Sequence, residues 1–344
     1  MTHLSRRTFT FAAPAATLAA ALAARPARAQ GKFHIRVSLD TAHEHQRNVS
    51  FRDYIEKLTK ASNGDITGQV FDGGALFSDL RVGKALFEAQ VEMACPGTWT
   101  VTGFVADADV LNVPDLYGRS IAETYKAIDG KTGGFVAAQL EKKLRVTIPG
   151  PWLTLGFEHW YATKKPLNTF ADIKGLKIRN AGGAALAWRT RFFGAIPNTT
   201  AWPDVPLALS QGTFDGLITT NESTSSSKLW DAGVKYTLQD HQNVNCYVPM
   251  INSAFLASMP APLSKLVIDT WNENIPTYRN NMAAAQERAL ATMKDKGIVV
   301  VLASDADIAA IRAQMHPLQA QFLKDLHMSP EIADLLKADL GTAA

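Results

Sequence analysis

The sequence predicts an α/β fold built as two units, and three observations carry that prediction. Residues 33 to 95 alternate strand-like and helix-like segments in the order β-α-β-α-β. A second, smaller alternation runs from about 157 to 244, and residues 262 to 296 have helical character throughout.

In the first unit, "FHIRVSL" (33 to 39) has a strand pattern. "SFRDYIEKLTKASNG" (50 to 64) places Phe51, Tyr54, Ile55 and Leu58 on one helical face and ends on Asn63-Gly64, a helix stop. "ITGQVF" is a second strand, "SDLRVGKALFEA" a helix with a Ser/Asp start, and "VEMAC" a third strand. Helices alternating with strands imply a mostly parallel sheet. Further on, "LRVTIPG", "HWYATKK", "GLKIRN" and "FDGLITT" read as strands, "AALAWRTRFFG" as a helix, and another helix begins near Pro203. The helix from Pro262 to Lys296 is long enough to run along both units, with Pro276 as its expected kink.

The 344 residues, 47% hydrophobic and 19% charged, leave room for two cores. Formal net charge is only +3, and several of the 35 basic residues fall in the first 28 positions, so no basic stripe for nucleic acid is present. Those first residues read as an address. Ser5-Arg6-Arg7-Thr8-Phe9, an Ala-rich uncharged run and Ala27-Arg28-Ala29 fit a twin-arginine export signal at 1–29, cleaved after Ala29. The remaining chain is expected in the periplasm, since no later run approaches a membrane span. Two cysteines, Cys95 and Cys246, would then meet an oxidising compartment. Two buried free thiols are the simpler expectation, although spacing alone does not set their distance.

Catalytic signatures fail on inspection. "DGKTGG" (129 to 134) lacks a phosphate-loop glycine, because Tyr125 stands in its place. "HEH" (43 to 45) lacks a metal spacing and reads as a polar loop. Asp204 and Asp215 are explained by a helix start and a turn. No metal and no cofactor are expected, and no enzyme.

Arg179 is different. It ends a strand, where open α/β units collect their ligands, and its planar fork matches a carboxylate bidentately. The following Ala181-Gly182-Gly183 would let backbone amides approach an anion.

"ADIKGLKIRNAGGAALAWRTRFFGAIPNTTAWPDVPLALSQGTFDG" (171 to 216) resembles the segment diagnostic of the solute-binding proteins of TRAP transporters, the DctP family. It carries their D-x-K-G-x-K-x-R run, G-A-x-P turn, aromatic before an acidic helix start, and A-L-x-x-G-x-x-D-G. "SNGDITGQVFDGGALFSDLRVGKAL", "NVPDLYG" and "HQNVNCYVPMINSAFLASMP" extend the resemblance over essentially the whole chain after the signal.

The resemblance implies an α/β two-domain periplasmic binding protein, type II-like (Venus-flytrap), with crossing strands and a long domain-spanning helix. Its domains would be 30–156 plus 245–284 and 157–244 plus 285–344. It implies a carboxylate ligand anchored by Arg179 and a TRAP membrane permease as partner. Arg189 and Arg191 would face solvent or the permease. Compared with sialic-acid-binding members, Trp202 takes the place of a pocket aromatic, His159 that of a second arginine and Thr219 that of an asparagine. Gly97 and Thr100 replace an acid and a further arginine, while Asp40 and Asp79 align with polar contacts.

A pocket with fewer arginines that holds Trp202, Trp99 and Tyr247 suits a monocarboxylate with an apolar or aromatic body, or a 2-oxo or 2-hydroxy acid. A second carboxylate would meet only His159, which titrates near neutrality. Cys95 falls close to the same loop. Two other uses fit the same cleft: delivery of the ligand to a sensor or regulatory receptor and, with less support, periplasmic catalysis.

Overall fold

The computed structural model describes residues 32–341. The expected export signal and its cleavage point lie outside the described residues.

The first part of the chain runs β1 (Phe33–Ser38), α1 (Gln46–Ala61), β2 (Ile66–Phe71), α2 (Asp79–Phe87) and β3 (Met93–Ala94). Three short 3₁₀ turns lead to α3 (Ile121–Ile128), α4 (Lys131–Leu144) and β4 (Val146–Thr147). β5 (Leu153–Phe157) leaves this region, and β6 (His159–Ala162), β7 (Lys177–Asn180), α5 (Ala184–Phe192), β8 (Ile196–Thr199), α6 (Val205–Ser210), β9 (Gly216–Thr219), α7 (Asn221–Ser226) and β10 (Tyr236–Gln239) follow. β11 (Val244–Tyr247) and β12 (Met250–Asn252) return, before α8 (Ser253–Ala257) and α9 (Ala261–Asp295). The chain continues through β13 (Val299–Leu302), α10 (Asp305–Met315), α11 (Gln319–Asp325) and α12 (Glu331–Leu340).

The strands make two sheets and a connecting pair. One sheet has the order β2-β1-β3-β12-β4, the other β13-β10-β6-β9-β7-β8, and β5 pairs with β11 alone. The expected parallel core is present, because β1 pairs in parallel with β2 and β3. Each sheet is nevertheless mixed. β12 runs antiparallel to β3 and β4, and β6 runs antiparallel to β9 and β10. A strand that returns from the other half of the chain enters without a crossover helix, so alternation along the sequence does not predict its direction.

Side-chain alternation explains why both faces of each sheet are covered. In the second sheet Trp160, Ile178, Ile218 and Leu238 fill one core with Met315, while Tyr161 and Leu217 fill another with Phe214 and Met293. In the first, Ile35, Val37 and Met93 pack against Phe51, Tyr54 and Leu58 of α1 and Trp271 and Tyr278 of α9. Full burial of each such side chain contributes about 1.5–3 kcal/mol. Helix α9 runs unbroken through Pro276 and packs against α1, β5 and α7. Its register on the first sheet is pinned by Tyr54 Oη donating to Val267 O at 2.8 Å and Trp271 Nε1 donating to Pro151 O at 3.0 Å.

The C-terminal stretch differs from expectation. Residues 285–344 were expected with the second unit, but from Gln319 onward the chain crosses back. Phe322, Leu323, Ile332 and Leu336 are buried with Val136, Leu140 and Leu144 of α4. Asp339 completes the contact, its carboxylate accepting from the first two amides of α4, Lys131 N at 3.0 Å and Thr132 N at 2.7 Å. The apolar i, i+4 face of α12 is what carries the segment there.

Candidate functional site

Arg179 lies on β7, between β9 and β8, and its side chain is 1% exposed. Nε donates to Thr200 O at 2.9 Å, which fixes the plane of the fork. The guanidinium carbon stands 5.3 Å from the centre of the Trp202 ring. Nη2 has no hydrogen-bond partner among the described residues and lies 3.8 Å from Asp79 Oδ2. Asp79 opens α2, and both its oxygens accept from Trp202 N–H at 3.1 Å. Burial pushes the Asp79 carboxyl above its usual pKa, Asp40 adds to the rise, and Arg179 opposes it.

The facing wall is built by Asp40, Trp99 and Tyr247. Asp40 follows β1 and is held at 2.5 Å by Arg47 Nη2. Arg47 is fully buried on the first turn of α1, stacks 3.9 Å from the centre of the Tyr247 ring, and donates to Cys95 O at 2.9 Å. Although burial opposes its charge, Asp40 and Tyr247 carry its pKa above the usual value. Sequence reasoning missed Arg47 because it began this helix at Ser50. The signal was the polar run His45-Gln46-Arg47-Asn48, which continues the helical period upstream. Gly97 contributes backbone only: a Cβ there would meet the Trp99 ring at 2.2 Å, so a side chain would displace the indole.

These residues enclose a small cavity of about 20 Å³, room for about one water. Arg179, Trp202, Thr219, Asp40, Asp79, Trp99 and Tyr247, all expected at the site, line it together. Glu158, which sequence reasoning passed over, also lines it. Its carboxylate is 2% exposed, and Oε2 has no partner among the described residues. Burial pushes Glu158 up to about 7, opposed by Arg189, Asn245 and Arg179.

Three expected residues stand apart from the cavity walls. His159 is buried beside His241, with Nδ1 accepting His241 N–H at 3.2 Å. Burial pulls its pKa down to about 3, so it is neutral and cannot offer a positive charge to a second carboxylate. Gly97 and Cys95 lie behind Trp99 and Arg47 rather than on the cavity surface. Cys95 and Cys246 are both buried and free.

The start of α5 is also occupied from within. Gly182 and Gly183 adopt φ of +119° and +74°, which only glycine takes without strain. The amide of Ala185 then donates to Asp109 Oδ2 at 3.2 Å. The anion at this helix N-terminus is therefore the chain's own Asp109, whose pKa burial raises to about 7. Arg189, expected to face solvent, is 1% exposed; it donates to Asn112 O at 2.8 Å and to the side chain of Asn243. Arg191, two positions on, is exposed. The helix carries one arginine on each face, and a sequence with polar residues on both faces does not show which is inward.

Among the described residues no group of three or more His, Cys, Asp or Glu side chains is placed to hold a metal ion, and no helix is long and apolar enough to cross a membrane. Chemically, the site offers one buried cationic fork beside an indole, faced by carboxylates.

Residues 40–325 match the family described as bacterial extracellular solute-binding protein, family 7, DctP. The chain is 26% identical over 305 residues to the 2,3-diketo-L-gulonate-binding periplasmic protein YiaO of Escherichia coli K12, covering 88% of this chain and 90% of that protein. A TRAP periplasmic solute-binding protein from Desulfovibrio salexigens, solved with bound orotic acid, superposes with a TM-score of 0.83 at 20% identity, covering 90% of this chain and 99% of that one. The sugar acid binding protein DctPAm from Advenella mimigardefordensis, solved with galactonate, gives 0.84 at 18% identity, with 90% and 98% covered. These likenesses show the two-sheet fold with its long helix to be that of TRAP periplasmic solute-binding proteins. By the match across residues 40–325, the chain belongs to the DctP family of bacterial extracellular solute-binding proteins, the binding proteins of TRAP transporters.

Proposed function

We propose that this protein captures an organic monocarboxylate in the periplasm, with Arg179 as the anchor, and hands it to a TRAP membrane permease. The observation that carries the anchor is the unpartnered Nη2 of a fully buried guanidinium at a cavity wall. A buried fork of this kind gains most from a charged, bidentate acceptor. The relatives support a carboxylate ligand: 2,3-diketo-L-gulonate, orotic acid and galactonate, which they bind, each carry one such group. A dicarboxylate is disfavoured, because His159 is neutral and the remaining ionisable lining groups beside Arg179, namely Asp40, Asp79, Glu158 and Tyr247, offer a second carboxylate no cation.

The mechanism is closure. We assign residues 32–156 with 245–284 to one lobe and 157–244 with 285–318 to the other, the segment from Gln319 joining the first. β5 and β11 are the crossing strands. The residues around the cavity come from both lobes, so the lobes part to admit an acid and shut around it. Closure lowers the effective dielectric and strengthens the ion pair. The Arg6-Arg7 leader would deliver the protein to the periplasm.

A thermal-shift screen against mono- and dicarboxylates, aromatic and aliphatic, tests this. Monocarboxylates should raise the melting temperature, and Arg179→Ala should abolish the rise. Stabilisation by diacids alone would refute the monocarboxylate assignment. Turnover of a bound acid would move the site to a periplasmic enzyme, and a loaded form that engages a receptor instead of a permease would make the protein a sensor component.

A further inference from the structure

Among the described residues, three buried polar atoms on the cavity walls lack a hydrogen-bond partner. Two are donors, Arg179 Nη2 and Trp99 Nε1, and one is an acceptor, Glu158 Oε2. Four other polar walls, Asp40, Thr41, Asp79 and Ser223, are engaged. Asp79 holds Trp202 N–H, and Asp40 holds Arg47. Thr41 Oγ1 donates to Asn48 Oδ1 at 2.6 Å, and Ser223 Oγ pairs with His45 Nε2 at 3.1 Å.

A buried polar group left unpaired costs more than a made bond returns, so the unengaged atoms describe the complement of the ligand. A carboxylate satisfies two donors. It does nothing for Glu158, and an acceptor-only ligand would set its own oxygens against that carboxylate. A hydroxyl supplies the missing donor.

We propose that Glu158 determines specificity by accepting a hydrogen bond from a hydroxyl of the bound carboxylate, so that the site selects hydroxy acids over their deoxy counterparts. This rests on the assignment of Arg179 as the anchor. Glu158 is fixed for the task by the junction between β5 and β6: its N–H donates to Asn243 O and its C=O accepts from Gln242 N–H, both at 3.1 Å. Burial raises its pKa to about 7 against the opposing charges of Arg189 and Arg179, so the ionised, accepting form prevails above about pH 7, where the titrations are made. Trp99 Nε1 completes the carboxylate cradle, and Gly97 leaves its indole the space it occupies.

The test is calorimetric titration of the protein with matched pairs: lactate and propionate, gluconate and hexanoate, mandelate and phenylacetate. In any pair that binds, the hydroxy member should bind at least about tenfold more tightly. Glu158→Leu should bring that ratio close to one while the deoxy member binds as well or better. Glu158→Gln keeps the shape and one accepting oxygen, and should give an intermediate ratio, which guards against a folding defect in the leucine variant. Equal binding within every pair, or a ratio that survives both variants, overturns the inference. So does a preference for pyruvate or phenylglyoxylate that strengthens as pH falls from 8 to 6, which would make Glu158 a protonated donor to a carbonyl. Arg179-dependent binding without hydroxyl preference refutes the role of Glu158 alone. Absence of binding by every acid removes the anchor as well.

Discussion

Arg179 Nη2 and Asp79 Oδ2 face one another at 3.8 Å, too far for a hydrogen bond, while both Asp79 oxygens are turned to the backbone N–H of Trp202. The arginine is neutralised without being used. A ligand carboxylate can therefore take the fork with no protein bond to break. Arg179→Ala should weaken carboxylate binding by about 2–5 kcal/mol, as for a buried charge left alone. Arg179→Lys should recover only part of that, since an ammonium cannot reproduce the fork or the bond to Thr200 O. Titration calorimetry decides between them, and equal affinity of the lysine variant and wild type would refute the bidentate geometry.

A second contact bears on closure without touching Arg179. Glu222 of α7 accepts Gln46 N–H, the first amide of α1, at 2.8 Å, and its other oxygen stands 2.8 Å from His45 Nε2. His45 Nδ1 accepts Arg47 N–H, which leaves Nε2 facing Glu222 and Ser223. Glu222→Ala removes the acceptor and should weaken ligand binding by about 1–2 kcal/mol, mainly through faster release. Stopped-flow kinetics would show an unchanged release rate if this contact were only decorative.

Burial makes the fold sensitive to pH in an uncommon direction. Asp109, Glu158 and Asp240 all have pKa values raised to about 7, against ordinary values of 3.8 for aspartate and 4.5 for glutamate. The folded chain keeps protons that the unfolded chain has released, so stability falls as pH rises from about 4 to about 7 and is flat above. His159, lowered from 6.5 to about 3 by burial, acts oppositely below about pH 6.5, and Glu123, lowered to about 2 by hydrogen bonds at its capping box and by Arg119 against a burial penalty, does so below about pH 4.5; above that the three raised carboxyls outweigh the one imidazole. Melting curves at fixed ionic strength should peak near about pH 5, and Asp240→Asn, which still accepts from Tyr117 and Trp160, should flatten the decline. A melting temperature that climbs steadily from pH 5 to 8 would contradict this.

Arg189 should matter for stability more than for binding. Its bonds to Asn112, Asn243 and Gln242 tie α5 to the segment entering β11. Arg189→Ala leaves these acceptors unpaired in the interior, and denaturant unfolding should show a loss of about 3–5 kcal/mol. A neutral result would mean that water replaces the guanidinium.

Much of this was legible in the chain because it is periodic. Phe51, Tyr54, Ile55 and Leu58 lie on the buried face of α1, and β1, β2 and β7 fall where apolar alternation puts them. Arg179 was legible as a strand-end arginine, and Trp202 and Asp79 through the resemblance. What stayed hidden depends on partners distant in sequence. Glu158 and Arg189 look like surface residues until β11 and the 240–243 segment close over them. His159 looked titratable because its desolvation comes from neighbours that periodicity does not reveal. The loop glycines suggested an anion site, and the anion is Asp109, more than seventy positions upstream.

Gly130 precedes α4 and has no side chain with which to start that helix; Asp339 does so from 208 residues downstream. Helix α4 is thus capped by a residue of α12. Contacts of such sequence separation form late, since the loop they close must lose its freedom first. In the folded chain the start of α4 is thus held shut by α12, and a chain lacking that carboxylate would leave the first amides of α4 to water.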